Sequence, residues 1–283
     1  MVRLVDASEA IRAAFPAEYA DVYAGVTSLG DPAVLTLLLA VVYWTYRREA
    51  TAQLVGYAFV AFSLTVLTKG FFAMPRPPEA VWLVETDGYG FPSGHAMAGA
   101  VVYGGMALEF GWLASRARAA AAAAVGLAVG FSRVVLGVHY LGDVLVGLAL
   151  GVLVLLAGRT LWRDRPVVGY AVAAVLAVPA LLVTGGSEMA LTLFGSCLGG
   201  VLGCQALLEE GPPASRAETA TLAVVGIVAI VGIRALAPVF DSVSVGIVLH
   251  DALLVAVILA LPAAVRTVRA AIPVLPDPAT TRK

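Results

Sequence analysis

Residues Gly90–Phe110 read GFPSGHAMAGAVVYGGMALEF, with a proline, a serine and a histidine set directly before a long apolar run. The run after His95 has the composition of a membrane helix, where an ionisable group is costly and marks a function or a polar surrounding. The rest of the chain keeps this character. Of its 283 residues, 60% are apolar and 13% charged, and the mean hydropathy is +0.93, far from the balance of an ordinary soluble domain. The sequence predicts an integral membrane protein of the all-α class, a polytopic helix bundle.

A hydrocarbon core about 30 Å thick takes roughly 20 residues of helix. Charge, Pro and Gly divide the chain into nine such runs, near 32–47, 51–73, 93–113, 117–135, 139–158, 167–184, 189–208, 219–239 and 246–265. Asp31-Pro32 is a helix start for the first of them. Threading nine spans places Arg47, Arg48, Arg116, Arg118, Arg159, Arg163, Arg165, Arg216, Arg266, Arg269, Arg282 and Lys283 on one side, which the positive-inside rule makes the cytoplasm. The other face then holds the acidic N-terminus, the loop Met74 to Pro92, the turn at Gly137 and short loops near Glu188 and Asp241. Its basic residues are Arg3, Arg12, Lys69, Arg76, Arg133 and Arg234.

Other features narrow the function. A formal net charge of -1 with scattered basic pairs gives no nucleic-acid surface. The N-terminal 25 residues have no apolar core of signal-peptide length and read as a segment lying on the membrane surface. Cys197 and Cys204, two helical turns and about 10 Å apart, are out of disulfide reach and read as packing residues.

Three short stretches carry chemistry. In KGFFAMPRP, Lys69 and Arg76 converge at one outer membrane edge; singly, each also reads as a cation reaching up to lipid headgroups. In FPSGH, Ser93 can cap a helix, Gly94 admits close backbone approach, and the free N–H groups of the first turn favour an anion. In SRVVLGVHYLGD, Arg133 ends one span, Gly137 makes a turn, and His139 and Asp143 stand four apart, so that one helical face would carry both. A carboxylate on one imidazole nitrogen leaves the other as a nucleophile or base, although a structural His–Asp pair has the same spacing. Threading by charge alone puts Lys69, Arg76, Ser93, His95, Arg133, His139 and Asp143 on one rim. Cations, a helix N-terminus and two histidines together describe a site for a phosphoryl group in transfer.

KGFFAMPRP, PSGH and SRVVLGVHYLGD resemble the three signature motifs of the type 2 phosphatidic acid phosphatase superfamily, which includes glucose-6-phosphatases and vanadium-dependent haloperoxidases. The resemblance implies that His139 is the nucleophile forming a phosphohistidine, with Asp143 orienting it and His95 as general acid. It implies that Lys69, Arg76, Ser93, Gly94 and Arg133 bind phosphate, with no metal and no cofactor. No HExxH or clustered Cys/His ligand set is present in the sequence. Two spans before PSGH and four after the His–Asp segment resemble the layout of the glucose-6-phosphatase branch. The expected organisation is an N-terminal outer or interfacial segment (1–31), a catalytic membrane core (32–165), four added C-terminal spans (166–270) and a cytoplasmic tail (271–283).

The resulting expectation is a cell-membrane phosphatase acting on a lipid or isoprenoid phosphate or diphosphate at the extracytoplasmic face, with membrane lipids as its surroundings. Alternatives are a phosphatase of a soluble ester such as a sugar phosphate, a lipid phosphotransferase, haloperoxidase use of the same cradle, and a non-enzymatic transporter or scaffold. In the added spans, Glu188, Arg234, Asp241, His250 and Asp251 fall near the outer face. They read as an ion pair of Arg234 with Asp251 or Asp241 that ties helices together, or as a pocket for the leaving group.

Overall fold

Asp31 opens the first long apolar helix by accepting hydrogen bonds at its side chain from Ala33 N at 2.8 Å and Val34 N at 3.4 Å, with Pro32 in the first turn. That helix, α3 (Pro32–Thr45), follows two short N-terminal helices, α1 (Val5–Ala14) and α2 (Ala20–Ser28). The computed structural model describes residues 3–110, 114–205, 215–240 and 243–271, all helices and connections with no strand among them. After α3 come α4 (Arg48–Phe72), α5 (Gly94–Glu109), α6 (Ser115–Val135), α7 (Leu141–Leu161), α8 (Pro166–Val183), α9 (Glu188–Gly203), α10 (Arg216–Ala235), α11 (Ala237–Phe240) and α12 (Ser244–Ala271).

Each of the nine predicted runs contains a helix, but length and composition qualify fewer of them as spans. Six helices among the described residues are long and apolar enough to cross a membrane, and the pair α2–α3, bent by 42°, makes a seventh if counted as one span. With 14 and 16 residues, α3 and α5 fall short of a bilayer, as does α9 with 16. Outward faces are apolar, with Leu153, Val175 and Val228 exposed, as a lipid-facing surface requires. This is a multi-pass membrane protein.

At the centre of the bundle α4 touches α3, α5, α7, α8 and α9, while α9 lies along α12 and α10 bridges α12 and α3. Small residues set these crossings: a Cβ on Gly195 or Gly199 would fall within 2.4 Å of the α12 backbone. Pro262 inside α12 has no N–H to give to Ile258, and Trp44 Nε1 donates to that Ile258 carbonyl at 2.9 Å instead.

Arginine–glutamate contacts close one end of the bundle. There Arg47 donates to Glu109 O at 2.6 Å, Arg159 pairs with the Glu109 carboxylate, and Glu218 lies 3.6 Å from Arg48 and 3.4 Å from Arg266. The opposite end gathers the C-termini of α4 and α6, the N-termini of α5 and α7, and the helices α1 and α2, which pack on α6 and α7. The N-terminal segment, expected only to lie on the membrane surface, is thus docked over this end.

Candidate active site

Residues Leu136–Tyr140 break the chain between α6 and α7, with Gly137 at φ +75°, a left-handed conformation that glycine accepts without strain. A side chain there would also strike the loop above it, because a Cβ on Gly137 would lie 1.9 Å from Val81 O. The loop is held to the turn by Leu83 N donating to Leu136 O at 3.0 Å. This anchoring brings residues 74–92 back over the ends of α4 and α7.

His139 lies in the bend before α7, so the expectation that it shares a helical face with Asp143 is corrected. Asp143 is the third residue of α7, and its Oδ2 accepts from Tyr140 N at 3.0 Å, closing the first turn back on itself. That closure leaves His139 Nδ1 3.6 Å from Asp143 Oδ2, too far for a hydrogen bond. On the other side of the ring, Arg76 NH1 lies 3.2 Å from His139 Nε2 and donates to Val138 O at 2.9 Å. Arginine only donates. Nε2 must therefore be the acceptor, and neutral His139 carries its proton on Nδ1, facing Asp143.

The cations are placed by backbone carbonyls. Lys69 Nζ donates to Tyr89 O at 2.8 Å, and Arg76 Nε to Asp87 O at 2.9 Å and Gly88 O at 3.2 Å. Arg133, buried near the end of α6, reaches Thr27 Oγ1 on α2 at 3.3 Å. Burial lowers the pKa of Arg76, with Asp87 and Asp143 opposing. Burial also lowers His139 from 6.5 to about 3; Asp143 opposes, and the charges of Lys69, Arg133 and Arg76 add to the lowering. His139 is a neutral imidazole at ordinary pH.

Ser93 N donates to Asp143 O at 3.0 Å, stitching the start of α5 to the first turn of α7. Ser93 holds the N-cap position, but its hydroxyl accepts nothing from the helix, contrary to the sequence expectation. Gly94 presses on Thr65 of α4, where a Cβ would lie 2.9 Å from the threonine methyl group. His95 is half-buried in the first turn of α5, within electrostatic reach of Arg133, His139, Lys69 and Arg76. All eight sequence-derived site residues therefore meet at one end of the bundle. Three polar atoms there, Ser93 Oγ, Arg133 Nε and His139 Nδ1, are buried without a hydrogen-bond partner among the described residues.

Beside the site an apolar groove of about 350 Å³ runs between α6 and α7, lined by Leu127, Phe131, Leu141, Val144 and Leu148 among others. Leu141 and Val144 lie within two residues of Asp143 on α7, so the groove reaches the turn that carries His139 and Asp143. No group of three or more His, Cys, Asp or Glu residues able to hold a metal occurs among the described residues.

Sequence reading missed Arg3, Ser8 and Thr27. Arg3 holds both carboxylate oxygens of Asp143, by Nε at 2.8 Å and NH2 at 2.7 Å. In the added spans, Arg234 pairs with Asp251 at 3.2 Å and His250 Nε2 lies 2.9 Å from Ile233 O, tying α10 to α12. Asp241, Arg282, Lys283 and the expected tail beyond residue 271 lie outside the described residues.

Comparison with known proteins places the chain in a family. The PAP2 superfamily model matches residues 49–167. Phosphatidylglycerophosphatase B of Bacillus subtilis (strain 168) is 33% identical over 143 residues, 47% of this chain and 70% of that protein. Among solved structures, the crystal structure described as the first transmembrane PAP2 type phosphatidylglycerolphosphate phosphatase, from Bacillus subtilis, is 27% identical. The match covers 55% of this chain and 84% of that one, with a TM-score of 0.47.

Proposed function

The chain belongs to the PAP2 superfamily, and from that premise we propose that it is a membrane phosphatase releasing inorganic phosphate from a lipid phosphate or diphosphate through a phosphohistidine on His139. The observation that carries the reading is the set of unpartnered buried atoms, Ser93 Oγ, Arg133 Nε and His139 Nδ1, beside Lys69 and Arg76. Each buried polar group without a partner costs about 1–3 kcal/mol. A phosphate, with several acceptor oxygens, relieves that cost for the donors of Ser93 and Arg133. The named substrate of the Bacillus relative, a phosphatidylglycerophosphate, is of this class, and the groove between α6 and α7 suits an acyl or isoprenoid tail.

In the proposed reaction the phosphate enters with its equatorial oxygens on Lys69, Arg76, Arg133, Ser93 and the N–H groups at the start of α5. Arg76 NH1 moves from His139 Nε2 onto a phosphate oxygen and uncovers the lone pair that attacks phosphorus. As the P–N bond forms, the bond to the leaving oxygen breaks and His95 gives that oxygen its proton. The positive charge developing on the imidazole is balanced by Asp143 across Nδ1–H. Water then attacks the phosphohistidine, His95 takes a proton from it, and the P–N bond breaks to release phosphate. Monoester hydrolysis is among the slowest uncatalysed reactions, and the site must lower the barrier by on the order of 20 kcal/mol. A covalent route in a fixed cationic cradle is suited to that task.

The charge asymmetry of the bundle supports an extracytoplasmic site, because Arg47, Arg48, Arg118, Arg159, Arg163 and Arg165 lie at the end opposite to His139. Purified protein in proteoliposomes should release phosphate from at least one of phosphatidylglycerophosphate, phosphatidic acid and an isoprenoid diphosphate, and far less from a soluble sugar phosphate. His139→Ala should lower that rate by about 10³-fold or more. Release from none of the lipids by the wild-type protein would falsify the proposal, and turnover of the sugar phosphate alone would move the substrate class to soluble esters.

A further inference from the structure

Arg3 has no place in the chemistry above, yet it makes the closest contact with the catalytic carboxylate. Asp143 is fully buried, and two of its oxygens' partners are the Nε and NH2 of Arg3 at 2.8 and 2.7 Å. The guanidinium is fixed on its other edges as well. Its NH1 donates to Pro75 O at 2.6 Å, and its plane lies 4.5 Å from the centre of the Tyr140 ring. The backbone joins in, with Gly142 N donating to Arg3 O at 3.1 Å and Leu141 N donating to Ser8 Oγ at 2.8 Å. Two first-turn donors of α7 are thus satisfied by the N-terminal segment, 133 or more residues away in sequence.

We propose that Arg3 is a positioning residue of the phosphatase site: its bidentate grip fixes the plane of Asp143 so that the carboxylate faces His139 Nδ1. The proposal rests on the reading of His139 as nucleophile. A planar fork bonded to both oxygens removes the rotation of a carboxylate that would otherwise be held by Tyr140 N alone. It also divides the charges. Lys69, Arg76 and His139 all face Asp143 electrostatically, and a carboxylate without its own counterion would draw Arg76 away from the phosphate seat. With Arg3 in place, Arg76 is not drawn to Asp143, and Lys69, Arg76 and Arg133 all remain for the phosphate. Arg3 acts through Asp143 and touches no substrate.

Loss of this grip should impair the step in which charge develops on the imidazole, and substrate binding much less. In proteoliposomes, Arg3→Ala should lower kcat by up to about 100-fold with KM within about two-fold of wild type. Added guanidinium ion should restore part of the rate, and Arg3→Lys, unable to bridge both oxygens, should fall between. A kcat equal to wild type, or a loss that guanidinium does not relieve and that follows loss of folded protein, overturns the proposal. A second readout needs no turnover. The chain has 3 histidines, so ¹⁵N-histidine spectra are simple, and Arg3→Ala should shift the His139 nitrogens away from the Nδ1–H tautomer. Unchanged His139 signals overturn the positioning role, whereas wild-type protein inactive on every lipid overturns the phosphatase reading and leaves the spectra to decide on Arg3.

Discussion

The crossing of α5 and α7 sets the separation between the start of α5, the proposed phosphate seat, and His139, the proposed nucleophile, and a single methyl group should expose it. A Cβ on Gly147 of α7 would lie 2.4 Å from Ser93 O and 3.3 Å from both Ser93 C and the Ala96 side chain, whereas ordinary contact begins at 3.4 Å. Ser93 O is backbone and cannot rotate away, so Gly147→Ala forces the start of α5 back by about 1 Å, the difference between contact and clash. The Ser93 N to Asp143 O bond, now 3.0 Å, stretches beyond bonding range. A misplacement of that size costs about 10²-fold in rate, or about 2.7 kcal/mol in the barrier. Overpacking costs about 1–3 kcal/mol of stability as well. The assay is phosphate release well below the melting temperature, where the variant is folded. Gly232→Ala is the control, since nothing lies within 4 Å of that position. Gly151→Ala, 2.6 Å from Met97 O and one turn farther from the site, should lose similar stability and less activity. Folded Gly147→Ala with kcat within about three-fold of wild type would refute the geometric argument.

Arg76→Lys keeps the charge but cannot hold Asp87 O and Gly88 O with one nitrogen while another faces Val138 O and His139 Nε2, so kcat/KM for the lipid phosphate should fall by about 10²–10³-fold; a change of only a few-fold would argue against Arg76 as a transition-state donor. Because His139 is lowered from 6.5 to about 3, the folded state binds fewer protons than the unfolded chain between those values. Stability should therefore fall as pH falls through that window and be level above it. Thermal unfolding in detergent should show a shallower slope there for His139→Asn, and an identical slope would mean that His139 is not held neutral.

Much of this architecture was legible because apolar runs and their punctuation are local. The Asp31-Pro32 start, the breaks at 47 and 165 and the turn at Gly137 each follow from a few adjacent residues. Span count was less legible, since α3, α5 and α9 have 14, 16 and 16 residues, fewer than the apolar runs that contain them. The site residues were recognisable as three motifs, but their local geometry was not. Ser93 is drawn to Asp143 by its backbone N–H, which turns an expected cap into an unpartnered hydroxyl. His139 and Asp143 meet across a helix start, where Asp143 closes on Tyr140 N. Arg3 was missed because nothing near it in sequence signals a partner 140 residues away. Its one visible mark was being a cation on the outer side with no apolar run beside it to explain it.

The turn from Leu136 to Asp143 explains why distant segments had to be found together. Leu136 O takes Leu83 N, Gly137 admits Val81, and Val138 O and His139 Nε2 both take Arg76. Tyr140 N closes on Asp143, Leu141 N and Gly142 N go to the N-terminal segment, and Asp143 O takes Ser93 N. Eight consecutive residues thus bind the 74–92 loop, the start of α5 and α1, each through polar groups that would be costly to leave unpaired at the edge of a membrane. The same bonds that satisfy the end of α6 and the start of α7 hold Arg76, Ser93 and Arg3 at fixed distances from His139. Preorganisation of the site and termination of two membrane helices are one set of hydrogen bonds, so a side chain at Gly137, which would break the turn itself, should not separate folding from catalysis, whereas Arg3 and Gly147, which act on it from outside, should.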